Sequence, residues 1–359
     1  MSKSNLLSRV NSLAISASLL LASVAMAQTE ITVVEQSQEA IQAALDALGG
    51  PGTVFVPAGR YQVDGTLIIR NDEVTLQGSG DDTVLFRSID ESITPMVASV
   101  GHRQVRITRI RFEGFSNIDP NRGQLSNGRE VGVHMGDAVD FRVDNCSFTR
   151  TGRSGVWTSG ASSGVVDHCT FEDLFNPVVN NLGYGIEAGG INSLEGEPFG
   201  SGRATFVEDS SFRLCRHAIA SNRGARYVFR YNYVAQNEMA HAVDAHGHEF
   251  GSDAGTEWID VHDNVIEDPI YRGYAVRIRG GMGLVWRNAF IGYNLGIELT
   301  QDTDQPTGPV YIWDNSIDPD TSPMVRARGT MGTPVFFLTP PDDYVPFPYP
   351  HPLAAGDRR

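Results

Sequence analysis

The chain has 359 residues, with 43 aspartates and glutamates against 28 lysines and arginines, and a formal charge of −15. That balance argues against nucleic acid or an anionic membrane as a partner, because both require cationic surface. An acidic ligand would have to be met by a local cluster of cations. Three cysteines, Cys146, Cys169 and Cys215, are too few for a disulfide framework and match no zinc spacing. They are expected as small buried side chains, with a single disulfide as the alternative.

In chain order, residues 1–27 read as an export signal. Lys3 and Arg9 form a basic start, the apolar run LAISASLLLASV follows, and Ala25-Met26-Ala27 is a small-x-small cleavage pattern. The protein is therefore expected in the periplasm or outside the cell. No later stretch is apolar and long enough to span a bilayer.

From Phe112 onward a short pattern keeps returning, first weakly as ITRIRF and then as VDNCSF, VDHCTF, VEDSSF, FRYNYV, VHDNVI, VWRNAF and IWDNSI. One position in it reads Cys146, Cys169, Ser210, Asn232, Asn264, Asn288 and Asn315. This predicts side chains stacked in a turn, where asparagine tolerates a left-handed backbone and its amide bonds to the next rung. A second pattern follows each copy of the first: VGVHMG, SGVWTS, YGIEAG, HAIASN, HAVDAH, YAVRIR and LGIELT. These fragments are too short and too β-branched for helices, and Gly-rich breaks separate them. The tightest spacing, about 22 residues, suits two or three short strands per coil, stacked about 4.8 Å apart in a parallel solenoid.

With these repeats the chain resembles the right-handed parallel β-helices of the pectate-lyase-like superfamily, from Ile31 to Thr333. Its opening segment, EAIQAALDALGGPGTVFVPAGRYQVDGTLII, is similar to theirs. The resemblance implies an all-β fold, a right-handed single-stranded parallel β-helix with a short N-terminal capping helix from Gln38 to Leu48. Such a cap is needed because an open solenoid end exposes unpaired strand edges and apolar core. The expected division is a signal at 1–27, a β-helix domain at 28–333 and a Pro-rich tail at 334–359, extended over the surface.

Aligning the second pattern on Val133, Val156, Ile186, Ile219, Val243, Val276 and Ile297 creates columns along the solenoid. Period-two alternation then predicts three outward columns. One is Gly132, Gly155, Gly185, Ala218, Ala242, Ala275 and Gly296, a floor without side chains. The next is His134, Trp157, Glu187, Ala220, Asp244, Arg277 and Glu298, and the third holds Asn222, His246 and Arg279. Tyr184, His217, His241 and Tyr274 fall on the inward phase, where an internally bonded corner ladder is expected. The segments from Tyr184 to Phe212 and from His241 to Ile266 are longer than their counterparts elsewhere. Their extra residues, GGINSLEGEPFGSG and GHEFGSDAGT, are placed to wall a groove.

Base, cation and carboxylate on one face suit β-elimination on a uronate polysaccharide. His246 is the expected base, Arg277 and Arg279 the charge neutralisers, and Asp244 the orienting group. Glu187, Asn222, Glu298, Trp157, Tyr184, His217 and His241 form the expected substrate-binding set. Asp244-Ala245-His246-Gly247 is similar to the Asp-Pro-His-Asp/Glu motif of the β-helical mannuronan epimerases, with alanine for proline and glycine for the closing acid. The Arg-x-Pro-x-x-Arg pattern of calcium-dependent pectate lyases is absent. No acidic cluster demands calcium, so no metal or other cofactor is expected and calcium stays only as an option.

The expected protein is thus a monomeric exported polysaccharide lyase acting on an acidic glycan. The alternatives are a uronate C5-epimerase, a glycoside hydrolase using Glu187, Asp244 and Glu298, and a non-catalytic glycan binder. Trp157, the one clear outward aromatic, is little for stacking on sugars.

Overall fold

Each coil carries three short apolar runs separated by a residue that bends the backbone. In one coil the strands are Val131–Gly136, Val139–Asp144 and Ser147–Thr149. Asp137 (φ 48°) and Asn145 (φ 50°) turn the two corners between them. Short polar residues adopt this left-handed conformation at least cost. The next coil repeats the plan with Ser154–Ser159, Ser163–Asp167 and Thr170–Glu172. The computed structural model describes residues 29–88, 94–115, 130–174, 182–235, 241–248, 251–268 and 273–355. The leader expected over 1–27 lies outside them.

Strand pairing is parallel throughout the named strands. One ladder of ten strands runs the length of the solenoid. The other two faces join into a twenty-stranded sheet through Val74–Phe86 and Arg106–Glu113, long strands whose register shifts as they turn a corner. The protein is a right-handed parallel β-helix. Helix Gln38–Leu48 covers its first coil. Ser37 caps the helix by accepting from the Ala40 amide, Gly49 ends it in the left-handed region, and Ile41, Ala44 and Leu45 are buried. Among the described residues no helix is long and apolar enough to cross a membrane.

The expected asparagine ladder is present, with one correction. The left-handed residue is the one before it: Asn145, His168, Asp209, Tyr231, Asp263, Arg287 and Asp314 all have positive φ. That bend turns the following side chain into the corner, where it bonds the adjacent coil. The Asn264 Oδ1 accepts from the Asn232 backbone at 2.9 Å, and its Nδ2 donates to Phe229 O at 2.8 Å and to Asn288 Oδ1 at 2.9 Å. Asn264→Ala is expected to lower stability by at least about 2 kcal/mol, because it strands a buried amide; urea denaturation would measure it. Cys146, Cys169 and Cys215 fill corner positions as buried free thiols.

A second stack lies beside the first. Phe112, Phe148, Phe171 and Phe212 pile face to face with centroids 4.9, 4.9 and 4.7 Å apart. The small-residue column expected to floor the groove points at this stack instead. A Cβ on Gly132, Gly155 or Gly185 would lie 2.5–2.7 Å from the ring of Phe148, Phe171 or Phe212, and Ala218, Ala242 and Ala275 are fully buried. Ladder pairing skips this position, so strict alternation is broken there.

The C-terminal tail lies along the outer face of the twenty-stranded sheet. Phe347 and His351 pack on Phe206, Tyr349 donates to Asp209, and Arg230 donates to the carbonyls of Phe347 and Pro348. Pairing continues a little past the expected boundary, to the short strand Phe336–Phe337.

Candidate functional site

The ten-stranded ladder pairs Val133, Val156, Ile186, Ile219, Val243, Val276 and Ile297 with one another in order, the register expected from sequence. Asp244 is therefore flanked by Ala220 and Arg277 on neighbouring coils. Because the small-residue column turns inward, the residues before it swing outward. Tyr184, His217, His241 and Tyr274 form the expected stack, with centroids 5.5, 4.4 and 5.1 Å apart. Their phase is the opposite of the one expected: the stack stands beside Asp244 and not inside the coil.

Asp244 is the centre of the cluster. Its carboxylate is covered and meets four basic side chains. Arg279 binds it through Nη2 (2.6 Å to Oδ2) and Nε (3.2 Å to Oδ1). His246 Nε2 is 2.9 Å from Oδ2, His241 Nε2 is 3.1 Å from Oδ1, and His217 Nε2 is 3.7 Å from Oδ2. Burial alone would raise this carboxyl. His246, Arg279 and His241 outweigh burial and hold it well below the usual carboxylate range. Burial pushes His217 and His241 down, so both stay neutral near pH 7.

His246 and Arg279 are the members of this cluster that reach the groove. Their side chains keep 12% and 14% exposure, and both line a cavity of about 910 Å³. Arg279 Nη2 lies over the imidazole, 2.8 Å from Nδ1 and 2.5 Å from Nε2. Assigning the proton to Nε2 lets Nε2–H donate to Asp244 at 2.9 Å and leaves the imidazole lone pair on Nδ1.

Trp157, Tyr184, Glu187 and Asn222 also line the cavity. Trp157 offers little free ring, because His134 stacks on it at 4.0 Å and the Arg153 guanidinium lies 4.4 Å from its centroid. Two groups that close cannot share one face. Burial and the nearby Arg153 push His134 down to about 4. Glu187 is held bidentately by Arg153, both bonds 2.7 Å. The Tyr184 hydroxyl accepts from Arg216 at 2.9 Å, and burial pushes it up to about 12, so it stays protonated. Arg153 and Arg216 line the cavity too and were missed from sequence. The signal was there: each arginine immediately precedes the first residue of its strand, Ser154 or His217.

Two expected members stand elsewhere. The Glu298 carboxylate is fully buried and takes bonds from Arg326 (2.6 Å) and Arg328 (3.0 Å) on the next coil, which hold it below its ordinary range against the opposing effect of burial. Arg277 faces Glu298 and Asp302, each at 3.9 Å, and does not line the cavity. Arg277→Ala is accordingly expected to leave turnover near the wild-type level, checked by initial rates on whichever glycan the protein processes. His217 and His241 are buried beneath the cavity and do not line it.

The first long segment walls the groove through Gly189, Gly190, Ile191 and Asn192, whereas no described residue of the second, from Gly247 to Thr256, lines the cavity. Asn192 and Asp253 join them through bonds of 2.6 and 2.9 Å. Glu257 Oε1 gathers the amides of Glu195, Gly196 and Glu197. Glu249 and Phe250, expected in the second wall, lie outside the described residues.

No curated protein matches the sequence. Among solved structures, the tailspike protein of E. coli bacteriophage HK620, determined with a pentasaccharide, has a TM-score of 0.53 at 13% identity, over 83% of this chain and 60% of that one. ORF18 of Geobacillus virus E2 has a TM-score of 0.50 at 14% identity, over 86% and 62%. The A-module of a mannuronan C-5 epimerase from Azotobacter vinelandii has 0.49 at 16% identity, over 84% and 80%. The chain spans about 60% of the length of the two viral proteins, and these two likenesses concern the fold alone. In sequence, residues 30–244 match the model of the rhamnogalacturonase A/epimerase, pectate lyase-like family, and on that match the chain belongs to this family.

Proposed function

We propose that the groove binds a uronate-containing polysaccharide and cleaves it by β-elimination. The observation that carries this reading is the joining of Asp244, His246 and Arg279 at the groove wall, with one guanidinium in reach of both the carboxylate and the imidazole. An incoming uronate carboxylate binds the Arg279 guanidinium beside the imidazole. Nδ1 removes the proton from the carbon beside that carboxylate, while Nε2–H stays on Asp244. The electron pair moves first into the carboxylate, whose developing charge Arg279 meets. It then forms the carbon–carbon double bond as the glycosidic oxygen leaves and takes a proton. Arg153 and Arg216 extend the cationic lining to neighbouring sugars.

A hydrolase is supported less well. Asp244, Glu187 and Glu298 are each clasped by arginine, whereas a general acid must hold its proton near neutral pH. The test is incubation with alginate, glucuronan, pectate and neutral glycans. Ultraviolet absorbance from an unsaturated product is the expected result. Reducing ends without absorbance would indicate hydrolysis, and altered NMR signals with intact chains would indicate epimerisation; either overturns the lyase reading.

A further inference from the structure

Beneath the groove, His217, His241 and Asp244 bring three potential ligand atoms within 4.8 Å of one another. The two imidazoles pose a problem that protein atoms alone do not solve. His217 Nδ1 lies 2.5 Å from the carbonyl oxygen of His241. A carbonyl can only accept, so Nδ1 carries the proton and Nε2 presents a lone pair. That lone pair faces Oδ2 of Asp244 at 3.7 Å, acceptor against acceptor. His241 Nε2 stands 3.1 Å from Oδ1. Both Nε2 atoms are buried and lack a hydrogen-bond partner. Two orphaned imidazole nitrogens aimed at one carboxylate are costly unless a cation sits among them.

We propose that His217 Nε2, His241 Nε2 and Asp244 hold one divalent transition-metal ion, of which zinc is the best fit. Two imidazoles and one carboxylate are the donors such an ion prefers. Calcium and magnesium would seek an oxygen shell that this pocket lacks. The rings are already oriented: Tyr184 and Tyr274 stack on the outer sides of the histidine pair, and the His241 carbonyl fixes the His217 tautomer. Oδ2 keeps its bonds to Arg279 and His246, while Oδ1, nearer His241, keeps the longer bond from Arg279 Nε and offers its second lone pair to the ion. The guanidinium on the same carboxylate opposes a second cation, so affinity below that of a closed structural zinc site is expected. The ion would keep Asp244 anchored while His246 and Arg279 face the groove.

The experiment uses the full chain, stripped with chelator and titrated with Co²⁺ followed by Zn²⁺. Saturable uptake of one equivalent, visible ligand-field absorption from cobalt and its loss on adding zinc are expected. His217→Gln and His241→Ala should each weaken uptake by more than about 100-fold, since even partners outside the ligand shell cost about 10–100-fold. His248→Ala removes an exposed histidine bound to Asp304 and should change nothing. Absence of saturable binding by the unaltered protein overturns the proposal, whatever the variants do. So does binding that survives His217→Gln but vanishes in His248→Ala. The titration needs no substrate, so its failure leaves the reaction assigned to the groove untouched.

Discussion

His246→Ala is expected to lower turnover of the preferred polysaccharide by about 10²- to 10⁴-fold, the usual contribution of a positioned general base. The fold should tolerate the change. Asp244 keeps both bonds to Arg279 when the imidazole is gone, and the lost side chain borders open groove rather than core. The unfolding free energy should therefore move by no more than about 1 kcal/mol. His246→Gln should be equally inactive, because an amide can bond to Asp244 but cannot take a proton. Product absorbance and urea denaturation measured on the same samples provide the check. Full turnover in either variant would remove the proposed base.

Arg279→Ala should damage both quantities at once. The Asp244 carboxylate is 1% exposed, and Arg279 supplies its one permanent cation among the neighbours described. Without the guanidinium the buried carboxylate is left to His246 and to His217 and His241, which burial keeps neutral, and breaking a pair of this kind costs about 3–5 kcal/mol. Turnover should fall by about 10²- to 10³-fold as well, since the charge growing on the substrate carboxylate loses its donor. Arg279→Lys separates the two effects. An ammonium restores charge near Asp244 but cannot bridge carboxylate and imidazole with a planar fork. Stability should recover in part while turnover stays low. An Arg279→Ala protein as stable as the parent would show that Asp244 draws its compensation elsewhere.

The contrast with Arg277 shows how far the repeat pattern could be read. Arg277 and Arg279 lie one and three residues past the paired apolar column, and sequence placed both on the groove. The outward direction was right for each, but the partner depends on the next coil. Arg326 and Arg328 close over Glu298 and extend the charged surface away from the cavity, so Arg277 belongs to that group. Glu298 looked available for the same reason and is buried. Arg153 and Arg216 fall outside the strand pattern because their side chains reach the groove from the residue just before a strand.

The corner caused the other misreading. Period-two alternation holds only where backbone dihedrals stay extended. Residues 132, 155 and 185 are skipped in the ladder pairing, and alternation is broken there for two successive positions. Glycine and alanine there clear the phenylalanine stack, and the stacked Tyr184, His217 and His241 come out beside Asp244. The small side chains were visible in sequence, but their purpose was not.

What the amino-acid order determined by itself was the solenoid, its register and the coincidence of Asp244, His246 and Arg279 on one flank. In a stacked repeat each strand pairs with its own counterpart, so a periodic pattern carries three-dimensional neighbours directly. What only the tertiary structure decided was burial and direction at the corners: which carboxylates lie covered, which guanidinium covers them, and where the imidazoles aim. Those outcomes depend on backbone rotation at the bends and on side chains arriving from the adjacent coil, and neither leaves a period in the sequence.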